Sequence, residues 1–274
     1  MRIAYCSDLH LEFGDLKLKN TQAAQVLVLA GDVCVAVDLQ DRETASVMHE
    51  NYKSNRVHQF FENCCKEFPV VIYTAGNHEH YHGDFATTYQ QLRDKLSYLK
   101  NLLILDKEFV DVAGTRFICG TLWTNIDRFT DPKTAIIVEK SMNDFRVVKN
   151  SNNLDSKGKP NKFSIRDATQ DHVEMVKKIE SAVTGCNKVV VVTHHTPSLG
   201  CTAAEYAGDI LNAAYHTDLE GLMHRYPQIK AWICGHTHTY WNFPVNCCQV
   251  LCNPRGYARY EQRSEEFSLE YYDV

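Results

Sequence analysis

Five short apolar runs, each ending in Asp, Asn or His, constrain the fold of this chain more than any other feature. Arg2–Cys6 leads into Ser7-Asp8-Leu9-His10, and Val26–Ala30 into Gly31-Asp32. Val70–Thr74 is followed by Gly76-Asn77-His78-Glu79, Val189–Thr193 by His194-His195-Thr196-Pro197, and residues 231–234 by Gly235-His236-Thr237-His238. Continuous β-branched runs of this length predict strands buried on both faces, as in parallel sheets covered by helices. In open α/β sheets, ligands and catalytic groups gather at the carboxyl ends of such strands. None of the five ends carries Lys or Arg, so the convergence is of acceptors alone. Packed carboxylates and imidazoles need positive charge among them, and a cation site follows.

The ligand count sets the number of cations. Asp8, His10, Asp32, Asn77, one of His194 and His195, His236 and His238 make seven candidate protein ligands. One metal accepts fewer, so the set predicts two metals sharing a bridge. Asp32 is the natural bridge, since a carboxylate has two oxygens and Gly31 admits close backbone approach. Ions roughly 3.5–4 Å apart clamp the attacking and leaving oxygens of a phosphoryl displacement and make hydroxide available near neutral pH. Mixed nitrogen and oxygen ligation admits Mn, Fe, Zn, Co or Ni, with Mn favoured.

Asp8-x-His10, Gly31-Asp32, Gly76-Asn77-His78-Glu79, His194-His195 and Gly235-His236-x-His238, in this order, resemble the calcineurin-like metallophosphoesterase superfamily. The resemblance implies one metal held by Asp8, His10, Asp32 and His238, and a second held by Asp32, Asn77, His236 and the His closing the fourth strand. His194 is preferred for that place because it directly follows the strand, which leaves His195 behind the ligands or facing substrate. The resemblance also makes His78 the catalytic residue, which stabilises the transition state or protonates the leaving oxygen. Protein phosphatases of the superfamily carry Gly-Asp-x-Val-Asp-Arg-Gly. Here the segment reads Gly31-Asp32-Val33-Cys34-Val35-Ala36, without the second acid and the Arg, which disfavours protein dephosphorylation. Residues 252–257 and 214–219 are similar to a bacterial and phage-like subgroup of uncharacterised phosphoesterases. They offer Arg255 and Tyr215 as substrate-binding candidates, although Arg255 reads equally well as part of a surface turn.

The ligands span positions 8 to 238 and must meet, so residues 1–274 are expected to form one domain. The expected architecture is a four-layer α-β-β-α sandwich with two packed mixed sheets. Helical spacing predicts a helix over 84–99, with Phe85, Tyr89, Leu92, Leu96 and Leu99 on one face. A second helix is predicted over 165–183, opened by a Ser164-x-x-Asp167 capping box and ended at Gly185, with His172 a packed core histidine. Thr217-x-x-Glu220 reads as another capping box. The stretch 124–165 interrupts the pattern; its polar part, 150–162, reads as a loop or insertion that could lie over the metal site. Trp123, Asn143, Asp144 and Arg146 flank that loop and are candidates for substrate contact.

The 11 cysteines are odd in number and include no Cys-x-x-Cys, so they read as small buried apolar residues in a reducing cytoplasm. No signal peptide and no membrane-length apolar run is evident. A net charge of −5 and a pI near 6.2 without a basic stripe argue against long duplex DNA as substrate. The leading expectation is hydrolysis of a phosphomonoester or phosphodiester of a small substrate, a nucleotide or cyclic nucleotide among them. The alternatives are a nuclease for single-stranded or short nucleic acid and a non-catalytic protein-binding scaffold. Retention of seven ligands and His78 weighs against the scaffold. Oligomeric state has no signature in the sequence.

Overall fold

The computed structural model describes residues 1–47, 52–126 and 131–274. Each of the five apolar runs forms a strand. The first sheet has the order β13-β1-β2-β3-β4, from Glu270–Asp273, Arg2–Cys6, Val26–Ala30, Val70–Thr74 and Leu102–Ile104. Only β13 runs antiparallel to its neighbour. The second sheet has the order β11-β12-β10-β9-β6-β5, from Trp241–Val245, Cys248–Cys252, Ile229–Cys234, Val189–Thr193, Thr115–Gly120 and Glu108–Val112. Its outer pairs, β11–β12 and β5–β6, are antiparallel, and the inner four strands are parallel.

The helices are α1 (Arg42–Val47), α2 (Tyr52–Glu67), α3 (Thr88–Leu96), α4 (Pro132–Ser141), α5 (Asp144–Val147), α6 (Ile165–Ala182), α7 (Glu220–Arg225) and α8 (Arg263–Glu266). Three layers of apolar contact make the four-layer sandwich. Ile3, Tyr5, Val28 and Ile72 of the first sheet meet Phe117, Val190, Val192 and Ile233 of the second in a buried middle layer. Phe60 and Phe61 of α2 and Leu92 of α3 cover the outer face of the first sheet. Met175 and Ile179 of α6 cover that of the second, with Met223 of α7. Central strands that bury both faces against apolar partners read as near-continuous apolar runs, and here the polar residues, such as Arg2, Thr74 and Thr193, stand mostly at strand ends. Eight of the 11 cysteines are buried in these layers as small apolar side chains. Among the described residues, no helix is long and apolar enough to cross a membrane.

The two sheets join at one end. Ser7 donates to Asn253 O and accepts from Arg255 N, and Gly256 N donates to Asp8 O. This tie brings the ends of β1, β2 and β3 beside those of β9 and β10.

Three local expectations are corrected. The helix predicted over 84–99 starts only at Thr88, because residues 83–85 exchange backbone hydrogen bonds with Lys149. The polar stretch 150–162 is a hairpin, β7 (Lys149–Leu154) with β8 (Pro160–Lys162). Its turn is built by Asp155, whose carboxylate accepts from Lys157 N and Lys159 N, and by Gly158 at φ 73°. Thr217 caps no helix: its hydroxyl accepts from Asn125 N, while Asp218 accepts from Glu220 N. Residues 127–130 of the expected insertion lie outside the described residues.

The predicted box at the start of α6 is formed, with Ser164 Oγ accepting from Asp167 N and Asp167 accepting from Ser164 N. His172 packs in the core with Nδ1 2.6 Å from Trp123 O. Ser164→Ala is expected to cost about 1 kcal/mol and lower the thermal midpoint by about 2–4 °C. An unchanged calorimetric midpoint would show that the cap contributes nothing to stability.

Candidate metal centre

The joined strand ends carry all seven candidate ligands to one place. Asp8, His10 and His194 are fully buried, and Asp32, Asn77 and His236 nearly so. Acceptor atoms of Asp8, His10 and His238 lie within 4.8 Å of one another, as do those of Asp32, His194 and His236, and those of His10, Asp32 and His78. Asp32 therefore belongs to clusters on both sides: its Oδ2 is 3.7 Å from His10 Nε2 and 3.4 Å from His194 Nε2. His10 Nε2 and His238 Nε2 are 3.1 Å apart, and His238 Nε2 is 3.5 Å from Asp8 Oδ1.

The backbone is bent to achieve this. Asp8, His10, Asp32, His236 and His238 all have positive φ, between 44° and 72°. Such a conformation costs a non-glycine residue about 1–2 kcal/mol and turns the side chain back across the strand end. Two glycines permit the close approach. A Cβ at Gly31 would collide with the His194 ring, and one at Gly235 would lie 2.6 Å from Asp8 Oδ2.

Neighbouring groups aim each ligand atom. Asn77 Nδ2 donates to Asp144 Oδ1 (2.8 Å) and to Tyr81 Oη (3.1 Å), so its Oδ1 faces inward, 3.0 Å from His194 Nε2. His194 Nδ1 lies 2.9 Å from Ala30 O, which leaves Nε2 for the centre. Glu261 is 2.8 Å from His238 Nδ1, and Glu12 is 3.1 Å from His10 Nδ1. Carboxylate and carbonyl partners of this kind fix the orientation and tautomer of a ligating imidazole. The donor set suits a divalent cation: two carboxylates, an amide oxygen and four imidazoles, with His236 Nε2 buried and without a hydrogen-bond partner.

The electrostatics agree. Burial drives Asp32 upward, yet the charges of His194 and His78 overcome it and hold the carboxyl well below its usual range. Burial lowers His194, but Asp32 outweighs it and lifts the imidazole to about 9. Burial likewise lowers His238, while Asp8 and Glu261 raise it to about 10. Those protons sit where a cation would.

His78 stands at the rim. Its ring stacks on Tyr81 (centroids 4.2 Å apart), Nδ1 is 3.3 Å from Glu12 Oε1, and Nε2 is 3.4 Å from Tyr257 Oη. Burial alone would lower its pKa, but Asp32 and Glu12 raise it, favouring the imidazolium. A cleft of about 750 Å³ opens on His78, Asp32, Asn77, His236 and His238. Ser141, Met142 and Asn143, at the end of the 124–165 stretch before the hairpin, form one wall of that cleft, and Tyr215 another.

Other expectations are corrected here. His195 does not face the cleft: it is buried under His236 (ring centroids 4.2 Å apart) and against Trp123. Arg255 offers no fork to a phosphate, because Nη1 donates to Leu9 O and Gly14 O and Nη2 to Asp15 O, bracing the loop that carries His10. Trp123 lies in a buried aromatic cluster with Phe163, Asp144 is committed to Asn77, and Arg146 donates to Ser141 O without itself lining the cleft. Sequence reasoning also missed Glu12, Glu79, Glu261, Tyr81 and Tyr257. Glu12 had a signal: Asp8, His10 and Glu12 alternate with period two, the spacing that puts side chains on one side of an extended segment.

Comparison with known proteins bears on the family and the fold. The family profile described as calcineurin-like phosphoesterase matches residues 1–240. An uncharacterised protein of Acanthamoeba polyphaga mimivirus is 27% identical over 303 aligned positions, covering 100% of this chain and 97% of that protein. The crystal structure of phosphopantetheinyl hydrolase from Mycobacterium tuberculosis superposes with a TM-score of 0.68 at 16% identity, covering 98% of this chain and 95% of that one. At that identity the likeness is one of fold.

Since a cation and a proton compete for the same imidazole nitrogen, metal loading near neutral pH is expected to release about two protons, from His194 and His238. Both groups have raised values, so apparent metal affinity should fall as pH drops and climb until they deprotonate. Calorimetry in buffers of different ionisation enthalpy reads the number directly. Metal uptake without proton release would contradict the picture.

Proposed function

From the premise that this chain belongs to the calcineurin-like phosphoesterase family, and is thereby a metal-dependent hydrolase, we propose that it cleaves a phosphomonoester or phosphodiester of a small substrate at a two-metal centre. The observation that carries this reading is Asp32, buried and shared between two acceptor clusters, with its Oδ2 facing His10 in one and His194 in the other. Asp8, His10, Asp32 and His238 would hold one divalent metal, and Asp32, Asn77, His194 and His236 the other. When bound, the metals supply a water activated near neutral pH and positive charge for the phosphoryl oxygens.

The remaining work falls to the chain's own groups. Glu12 accepts from Nδ1 of His78 and so leaves Nε2 to face the cleft. Stacking on Tyr81 keeps the ring upright. From there His78 donates a proton to the departing alkoxide or a hydrogen bond to a phosphoryl oxygen, a role worth roughly 10²–10⁴-fold in rate. The buried Asp144 acts through Asn77 by fixing which end of the amide faces the centre.

Asp32→Ala should lose activity and at least one of two metals per chain by elemental analysis. One tightly held metal in active wild type, together with an active Asp32→Ala, would sink the two-metal assignment. Of the adjacent pair, His194→Ala should lower metal content and His195→Ala should leave it intact; the opposite result would invert the assignment.

His78→Ala should keep both metals yet lose rate, more on alkyl phosphates than on nitrophenyl phosphates, because a nitrophenolate departs without a proton. Equal losses on both substrates would leave His78 only an electrostatic role, and a fall in metal content would make it a ligand, its atoms lying within the His10–Asp32 cluster.

A further inference from the structure

The metal cleft continues into a smaller pocket of about 130 Å³. Tyr206, Leu211, Tyr215, Thr237 and Thr239 line both, so whatever hangs from a phosphate at the centre can reach it. Its outer wall is the segment between β9 and β10, wound into short 3-10 turns at Leu199–Cys201, Ala204–Tyr206 and Ile210–Ala214. A cavity of about 150 Å³ with apolar walls accommodates a benzene ring, so this one is of ring size.

The polar groups around the pocket already bond one another. Thr202 Oγ1 is 3.1 Å from His216 Nδ1, and Asn212 Nδ2 donates to Tyr206 O. Asp209 accepts from Leu211 N, and Thr239 Oγ1 donates to Thr237 O. These walls make little further demand for hydrogen bonds, and Tyr206, Leu211 and Tyr215 present apolar surface. Among the described residues lining the cleft and the pocket there is no Lys or Arg, whereas Glu205, Asp209 and Glu261 contribute carboxylates. An anionic group in the smaller pocket, beyond the metal ligands and His78, would meet the Asp209 carboxylate with no Lys or Arg beside it.

Resting on the phosphoesterase reading, we infer that the substrate carries a single phosphoryl group on an uncharged, ring-sized leaving group, which binds against Tyr206, Leu211 and Tyr215. A carboxylate or second phosphate on the leaving group is disfavoured in that pocket by the same walls.

Binding of three phosphonates to the metal-loaded protein tests this without turnover: methylphosphonate, benzylphosphonate and 4-carboxybenzylphosphonate, measured by calorimetry. Benzylphosphonate should bind at least about tenfold more tightly than methylphosphonate, the scale of filling an apolar subsite, and the carboxylated ligand should lose that gain. Tyr206→Ala, at a side chain 54% exposed, should shrink the benzyl-to-methyl ratio toward unity with little risk to folding. Ala203→Phe, which fills the pocket, should do the same. Equal binding of benzyl- and methylphosphonate, tighter binding of the carboxylated ligand, or an unchanged ratio in both variants overturns the inference while leaving the phosphoesterase reading standing. If the metal-loaded protein binds none of the three, the phosphoesterase reading itself fails and the inference falls with it.

Discussion

The carboxylate of Glu79 holds the centre of this structure together. It is fully buried and accepts from Asp32 N (3.0 Å), Val33 N (2.6 Å), Gly76 N (2.6 Å) and Tyr73 Oη (2.7 Å). The three backbone donors belong to the turns after β2 and β3, whose N–H groups have left their sheet and need acceptors, and the fourth donor is a side chain of β3. Asp32 returns the tie by accepting from His78 N at 2.9 Å. Burial, and then the nearby Asp32 charge, drive Glu79 up to about 7. Loss of Glu79 would take the acceptor from these donors and from Cys34 N, each buried donor left unpaired costing about 1–3 kcal/mol.

That tie makes the rest of the arrangement sustainable. Five of the seven candidate ligands sit in left-handed backbone, and their acceptor atoms crowd together out of water. Both features oppose folding unless the surroundings over-determine them. Here Asp8 N donates to Gly31 O, His10 N to Asp32 O, and His236 N to the Asp8 carboxylate, so three of the bent residues are pinned by the end of another strand. A cation among the acceptors then removes the repulsion that remains. Strain and charge are both concentrated where the chemistry needs fixed geometry.

The walls of the site come from different material than its floor. The floor is five strand ends. The walls are irregular: residues 141–143, the turns over 199–216 and the Tyr257 loop. Loops can vary without disturbing the buried strands, which suits walls that differ in chemistry from the floor. The hairpin β7–β8 and the aromatic cluster of Trp123, Phe145 and Phe163 hold the 141–143 wall in place rather than touching the cleft.

Sequence alone determined the β-branched runs, the acceptors that end them and the capping box of α6, because each depends on local pattern: period, burial and cap chemistry. It also determined the ligand types, since acceptors without a single Lys or Arg at five strand ends have few physical resolutions. What it could not determine was direction. His194 and His195 are adjacent and chemically identical, and only the packing turns one toward Asp32 and the other under Trp123. Arg255 had the right chemistry for a phosphate, but the loop of residues 9–15 presented three carbonyls nearer to it. Asp144 reads as a candidate for substrate contact until the fold places it 2.8 Å from Asn77. The hairpin in 149–162 lacked hydrophobic alternation because most of it is exposed, so its strands are set by the Asp155 turn and by pairing rather than by burial. Pattern encodes which residues are buried and at which strand end they lie. Which way a polar side chain points is decided by competition among partners distant in sequence, and only the tertiary structure brings those partners together.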